Sequence, residues 1–245
     1  MRRLEGLRDD FAILRRLLRG MPEQASHAAN LQAFYAPQAH AYDRFRERLL
    51  HGRAQLIDAL PLPQAAHVVE LGGGTGSNLQ HFGARLDTIA AFDVVDLCPA
   101  LLARARERWA GRAHVHAIEA DAATYKPAQP VDCVYFSYAL TMIPAWRRAL
   151  ANAHAMLKPG GLLGVVDFYH SHAHPAAGMR RHAYPTRAFW RHWFAHDGVH
   201  LDPQHLDTLR ELFPEHRLSE HAAPVPYLPL LRAPYYLFVG RKQSD

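Results

Sequence analysis

The chain has 245 residues, 49% hydrophobic and 21% charged, and 28 Lys and Arg against 23 Asp and Glu give a formal net charge of +5. That length suits one α/β domain with a full core, and the composition is ordinary for a soluble globular protein. The longest apolar runs, such as 162–166, are strand-length, which excludes a bilayer span, and the two cysteines, Cys98 and Cys133, lack metal spacing and fit a reduced cytoplasmic setting.

Lysine occurs only at positions 126, 158 and 242, so the basic excess is almost wholly arginine. A basic balance favours anionic partners, nucleic acid or an anionic membrane surface, or else a solvated arginine-rich surface. The charged N-terminus (Arg2, Arg3, Glu5, Arg8, Asp9, Asp10) does not read as a signal peptide. Residues 8–20 predict a short amphipathic helix with Phe11, Leu14, Leu17 and Leu18 on one face and Arg8, Arg15, Arg16 and Arg19 flanking it, stopped by Gly20 and Pro22. Such a helix suits either a lipid headgroup surface or docking on the protein body. A second helical zone runs from about Ala29 to Leu60, interrupted near Pro37 and ended by Pro61-Leu62-Pro63.

From there the pattern alternates strand and helix. Strands are expected at about 67–71, 88–96, 114–118, 132–137 and 162–168, with helices from the glycine loop to Leu86, from Pro99 to Trp109 and from Trp146 to Leu157. Lys158-Pro159-Gly160-Gly161 predicts a turn. This alternation predicts an α/β fold, a mainly parallel sheet with helices on both faces. Residues 169–200 are crowded with histidine and aromatics and show little apolar periodicity. A helix is expected at 203–213, and strands near 217–228 and 235–241 close the chain as a hairpin or edge pair around Pro224, Pro226, Pro229 and Pro234.

The densest signal is His67-Val68-Val69-Glu70-Leu71-Gly72-Gly73-Gly74-Thr75-Gly76-Ser77-Asn78. A buried strand turns sharply here into a helix, and the glycines let backbone N–H groups approach a ligand. Dinucleotide loops read G-x-G-x-x-G. In this chain the third glycine comes one residue early, and Glu70 would repel a phosphate but can accept hydrogen bonds from an ammonium group. The loop resembles that of class I S-adenosylmethionine-dependent methyltransferases, with an oxidoreductase carrying a degenerate dinucleotide loop as the alternative. The resemblance implies a Rossmann-like, seven-stranded, mostly parallel sheet with one antiparallel strand. It divides the chain into an N-terminal helical extension and cofactor lid (1–60) and a methyltransferase domain (61–245).

Ligands of open α/β sheets bind at the carboxyl ends of the strands. The cofactor-binding set is therefore Glu70, Gly72, Gly74, Gly76, Asn78, Asp96, Asp121, Ala122 and Ser137. Asp96 suits the ribose hydroxyls, or simply caps the next helix. Asp93 lies inside the apolar run and points the other way. Asp121 suits the adenine amino group, and Ser137 and Tyr138 face the donor methyl.

Further segments resemble the N-methyltransferase part of betaine lipid synthases: Tyr42-Asp43-Arg44-Phe45-Arg46, 134–146, 166–169, 189–199, and 225–229 through 235–241. The resemblance covers about 33–242. It implies trimethylation of the homoserine amine of diacylglycerylhomoserine to the betaine lipid DGTS; methylation of another small molecule, such as a quinone precursor, is the other reading. On the lipid reading the chain works at a membrane surface on the cytoplasmic inner face. A separate aminocarboxypropyl transferase makes its substrate, and no nucleic acid is involved, since no binding element is recognisable.

Methylating an amine needs it uncharged, and a pocket of aromatics and hydroxyls helps to shed its proton. Tyr138, Tyr42 and His170 are the catalytic candidates. Tyr169, His192 and Arg46 are the substrate-binding ones, with Arg44, Arg180 and Arg181 as further partners for a headgroup carboxylate. Histidines 170, 172, 174, 182, 192, 196 and 200 have the look of a zinc site, but methyl transfer needs no metal and none is expected.

Overall fold

The computed structural model describes residues 26–36, 47–196, 198–226 and 228–244. The helix expected over 8–20 and the segment carrying Tyr42, Arg44 and Arg46 lie outside the described residues. Seven strands, β1 (His67–Leu71), β2 (Ala91–Asp96), β3 (Val115–Glu119), β4 (Val131–Ser137), β5 (Leu157–Phe168), β6 (Glu215–Val225) and β7 (Leu228–Arg241), form one sheet. Their order is β3-β2-β1-β4-β5-β7-β6. The first five run parallel, and β7 enters antiparallel between β5 and β6. The expected Rossmann-like sheet with one antiparallel insertion is the one observed.

The central strands are largely apolar because both faces are covered. One face sends Val68, Phe92, Val94, Cys133 and Tyr135 into a core with Phe82. The other sends Val69, Leu71, Val95, Val134 and Phe136 toward Leu150 and Leu209. Those two leucines belong to α4 (Trp146–Met156) and α6 (Gln204–Leu212). The remaining helices are α1 (His27–Tyr35), α2 (Arg53–Asp58), α3 (Pro99–Arg108) and α5 (Tyr184–His196). Leu31, Phe34 and Tyr35 of α1 pack on Cys98 and Leu101 at the start of α3. The Gln32 side chain fastens this join: its Oε1 accepts from Cys98 Sγ and Ala100 N, both at 3.2 Å.

Three expectations are corrected. The glycine loop leads into a 3-10 segment (Ser77–Thr88), and Gly83 at φ 55°, ψ −133° breaks the helical path midway. Residues 158–161 stay within β5 as an irregularity: Leu157 pairs with Val131, and the next partners are Leu162 and Cys133. The stretch 169–200 contains helix α5, where only Trp190 and Phe194 are buried, too few to print an apolar stripe in the sequence. Among the described residues no helix is long and apolar enough to cross a membrane.

Candidate active site

At the carboxyl end of the parallel strands lies a cavity of about 390 Å³. Gly72 and Gly74 reach it from β1, Asp96 from β2, Asp121 and Ala122 from β3, and Tyr138 from β4. His27, Leu31 and Tyr35 of α1 and residues 142–145 close it.

The loop is tightly tied. Gly72, Gly74 and Gly76 all have positive φ (75°, 56° and 63°), which glycine adopts without steric cost. Gly72 N donates to Val95 O at 2.8 Å, and a Cβ on Gly72 would stand 2.5 Å from that of Ala139. Gly74 N donates to Asp96 Oδ2 (2.8 Å), while Asp96 Oδ1 accepts from Cys98 N (2.8 Å). The two readings of Asp96 therefore coexist: one carboxylate holds the loop, caps the approach to α3 and lines the cavity. Asp121 likewise lines the cavity and accepts from Ala123 N at 2.8 Å.

Four of the expected cofactor residues are off the cavity wall: Gly76, Glu70, Asn78 and Ser137. Gly76 serves packing, since its carbonyl accepts from Trp109 Nε1 at 2.9 Å. Glu70 is fully buried beneath Gly73, and its Oε1 accepts from Asn78 Nδ2 at 2.5 Å. Asn78 Oδ1 in turn accepts from the buried Arg53 Nη1 at 3.1 Å. A fully buried carboxylate needs a hydrogen-bonded counter-charge, and Arg53 supplies it through Asn78. Burial and the neighbouring Glu70 push the Tyr135 phenol well up.

Tyr138 ends β4 with φ 55°, a strained value for a side chain of this size. Its OH donates to His51 O at 2.6 Å, and its ring lies 4.6 Å from that of Phe168. Ser137 points away from the cavity, buried, with no partner for its Oγ among the described residues. Tyr169 is buried away from the cavity and donates to Glu220 Oε1 at 2.9 Å, and burial plus that carboxylate push its phenol far up. His170 is buried with Nδ1 3.1 Å from Ser171 O, also off the wall. His192 is exposed on α5. The structure thus brings Gly72, Gly74, Asp96, Asp121, Ala122 and Tyr138 together and leaves Glu70, Gly76, Asn78, Ser137, Tyr169, His170 and His192 outside the cavity. Tyr42 and Arg46 fall outside the described residues. Among the described residues no three His, Cys, Asp or Glu groups stand where they could hold a metal ion.

Two residues that shape the cavity were not among the expected site residues. His27 opens α1 and faces the cavity; burial most of all holds its imidazole below its ordinary value, with Asp121 opposing and His200 reinforcing. Asp167, near the end of β5, is fully buried and fixes the turn after β4. It accepts from Thr141 Oγ1 (2.8 Å), Thr141 N (3.1 Å) and Phe168 N (2.8 Å). Burial raises its carboxyl to about 6 against those bonds. That turn carries Met142, whose sulfur accepts from Tyr35 OH at 3.3 Å, joining the cavity floor to α1.

A family model described as a methyltransferase domain matches residues 10–218. The chain belongs to this methyltransferase family. The enzyme class and methyl donor expected from the glycine loop, a transferase using S-adenosylmethionine, stand with that membership, and the cavity fits the donor. Strand-end carboxylates and loop glycines face it, and an apolar wall surrounds them. Among relatives, a trans-aconitate 2-methyltransferase of Variovorax paradoxus is 33% identical over 125 residues, 51% of this chain and 47% of that protein. A 2-phytyl-1,4-naphtoquinone methyltransferase of Thermosynechococcus vestitus is 29% identical over 147 residues, 58% of this methyltransferase and 65% of that one. The chain spans about half the length of the first curated relatives it matches. The solved structure of the N-methyltransferase NodS from Bradyrhizobium japonicum with S-adenosyl-l-homocysteine superposes with a TM-score of 0.58 at 18% identity, covering 81% of this chain and 87% of that one. That likeness concerns the fold alone.

Proposed function

We propose that this methyltransferase transfers the methyl group of S-adenosylmethionine to a small molecule with an apolar body, of the kind a quinone precursor presents. One observation carries the reading: the loop glycines, the strand-end acids and Tyr138 share one cavity with an apolar wall built by Leu31, Tyr35, Met142, Ile143 and Pro144. Asp96 and Asp121 are the acceptors for the donor's hydroxyl and amino groups. Gly72 and Gly74 give it room, with Glu70, Asn78, Gly76 and Ser137 supporting the loop and strand ends from behind. When bound, the donor supplies an electrophilic methyl on a sulfonium.

The residues of this chain then align and dry the encounter. Holding two reactants in line supplies roughly 7–11 kcal/mol of such a barrier. Tyr138, locked by His51 and Phe168, is the rigid wall at the transfer point. His27, kept largely neutral by burial, is positioned as a proton acceptor at the mouth for an acceptor that must lose a proton. Calorimetry with S-adenosylhomocysteine against NAD tests the cofactor. Label from S-adenosylmethionine offered with demethylated quinone precursors and with trans-aconitate tests the acceptor, and absence of transfer to every apolar candidate refutes it.

The lipid reading has a separate observation in its favour. Tyr184, Phe189 and Trp193 of α5 and Leu230 at the β6–β7 hairpin are exposed large apolar side chains, and Arg181 and Arg191 are exposed beside them. Aromatics interleaved with arginine suit a headgroup layer. On this reading the acceptor is the homoserine amine of diacylglycerylhomoserine, supplied by a separate aminocarboxypropyl transferase. Lipid extracts of cells expressing both proteins would then contain DGTS, and its absence removes the reading.

A further inference from the structure

Beyond the end of β5, Arg181, His182, Ala183, Tyr184 and Arg187 surround a second cavity of about 370 Å³. Its charge is one-sided. Arg187 Nε is buried with no hydrogen-bond partner among the described residues. Glu220, the acid whose field reaches His182, is already occupied: its Oε1 accepts from Tyr169 OH and its Oε2 from Arg180 N, at 2.9 and 2.8 Å. The thirteen-residue helix α5 begins here with no acid in its first turn, so its positive end adds to the same field.

The donors are also preset. Ser171 N donates to His182 Nδ1 at 3.1 Å, and His182 N donates to Ser171 Oγ at 2.9 Å. With Nδ1 accepting, the neutral ring carries its proton on Nε2 and can donate from there. Burial most of all, joined by Arg180, His170 and Arg187 and opposed by Glu220, holds this imidazole below its ordinary value. Uncompensated cations and a fixed N–H donor around one hollow are what an oxyanion completes. The hollow is anchored to the core: the His182 ring packs 5.1 Å from that of the buried Tyr169.

We infer that Arg181, Arg187 and His182 form a binding site for a small carboxylate or phosphate anion, separate from the cavity at the strand ends.

The test is calorimetry of inorganic phosphate and of citrate on the full chain and on the R181Q/R187Q variant, with S-adenosylhomocysteine titrated into both. At least one anion binds the wild type, and the double variant loses tenfold or more. S-adenosylhomocysteine binds both alike, which also shows that the variant is folded. By NMR the His182 imidazole titrates at higher pH in the presence of that anion. If neither anion binds, or both bind the variant as well as the wild type, the site does not exist. Binding to phosphatidylglycerol vesicles without binding of either free anion would equally overturn it, in favour of diffuse surface charge. Loss of S-adenosylhomocysteine binding in the wild type would instead refute the methyl-transfer reading and leave the anion result standing on its own.

Discussion

Asp167 gives the sharpest quantitative test of how the site is held. Its side chain is fully buried, and burial lifts its carboxyl from 3.8 to about 6 in spite of the bonds from Thr141 and Phe168. A folded-state value above the unfolded one means the folded chain keeps its proton longer. Between about pH 3.8 and pH 6 it holds more protons than the unfolded chain, so stability falls as pH rises through that window and is level above it. A gap of roughly two units corresponds to about 3 kcal/mol. Asp167→Asn removes the titration. It keeps one oxygen for Thr141 Oγ1 and Phe168 N but leaves Thr141 N facing a donor, a pH-independent penalty of roughly 1–3 kcal/mol. Urea unfolding of both chains from pH 4 to pH 7 isolates the effect, because every other titration is shared and cancels in the difference. Near pH 4 the wild type is the more stable by the bonding penalty alone. By pH 7 the difference has moved toward the variant by about 3 kcal/mol. A difference that stays constant across this range refutes the account.

Three further outcomes follow from the same geometry. Gly72→Ala places a Cβ 2.5 Å from that of Ala139 at a φ of 75°, and S-adenosylhomocysteine affinity measured by calorimetry falls at least tenfold; wild-type affinity would show that the loop tolerates a side chain. Asp96→Asn leaves either Gly74 N or Cys98 N facing a donor, a loss of about 2 kcal/mol for a charged bond, read as a lower unfolding midpoint together with weaker S-adenosylhomocysteine binding. Asp93 slopes the other way from Asp167. Burial alone would raise its carboxyl, but bonds from His67, His116 and Tyr125 outweigh that and hold it below its ordinary value. Its stabilisation is present at neutral pH and lost as pH falls below the carboxylate range, so Asp93→Asn lowers the urea midpoint at pH 7 and progressively less in acid.

The parts of the fold legible in the sequence are those where a buried strand leaves a continuous apolar run. β1 is read at its observed bounds of 67–71, and β4 and α4 fall within a residue of theirs, because central strands and their crossover helices bury whole faces. Asp96, Asp121 and Tyr138 were legible for the same reason: each follows directly from where a strand stops. Glu70 was not. Its place beside the glycines suggested exposure to a ligand, but side chains alternate along β1, and Arg53, a residue 17 positions upstream, compensates its charge through Asn78. α5 was hidden because its apolar residues divide between a buried pair, Trp190 and Phe194, and an exposed pair, Phe189 and Trp193. Asp167 and His27 left no mark, since their roles come from contacts across the fold, to Thr141 and to the mouth of the cavity.

This division bears on where acceptor choice resides. On the proposed reading the sheet and its glycine loop present the donor's half of the cavity. The opposite wall comes from α1 and the 142–145 turn. α1 is held by Leu31, Phe34 and Tyr35 packing on Cys98 and Leu101, by Gln32 at the start of α3 and by Tyr35 on Met142. Such elements can change their facing side chains without disturbing the sheet, because buried strands transmit volume changes while a docked helix face absorbs them. Substitutions at Leu31 or Tyr35 on the cavity face of α1 should therefore alter which acceptor is methylated while donor binding stays constant, whereas substitutions at Gly72 or Asp96 should weaken donor binding for every acceptor alike.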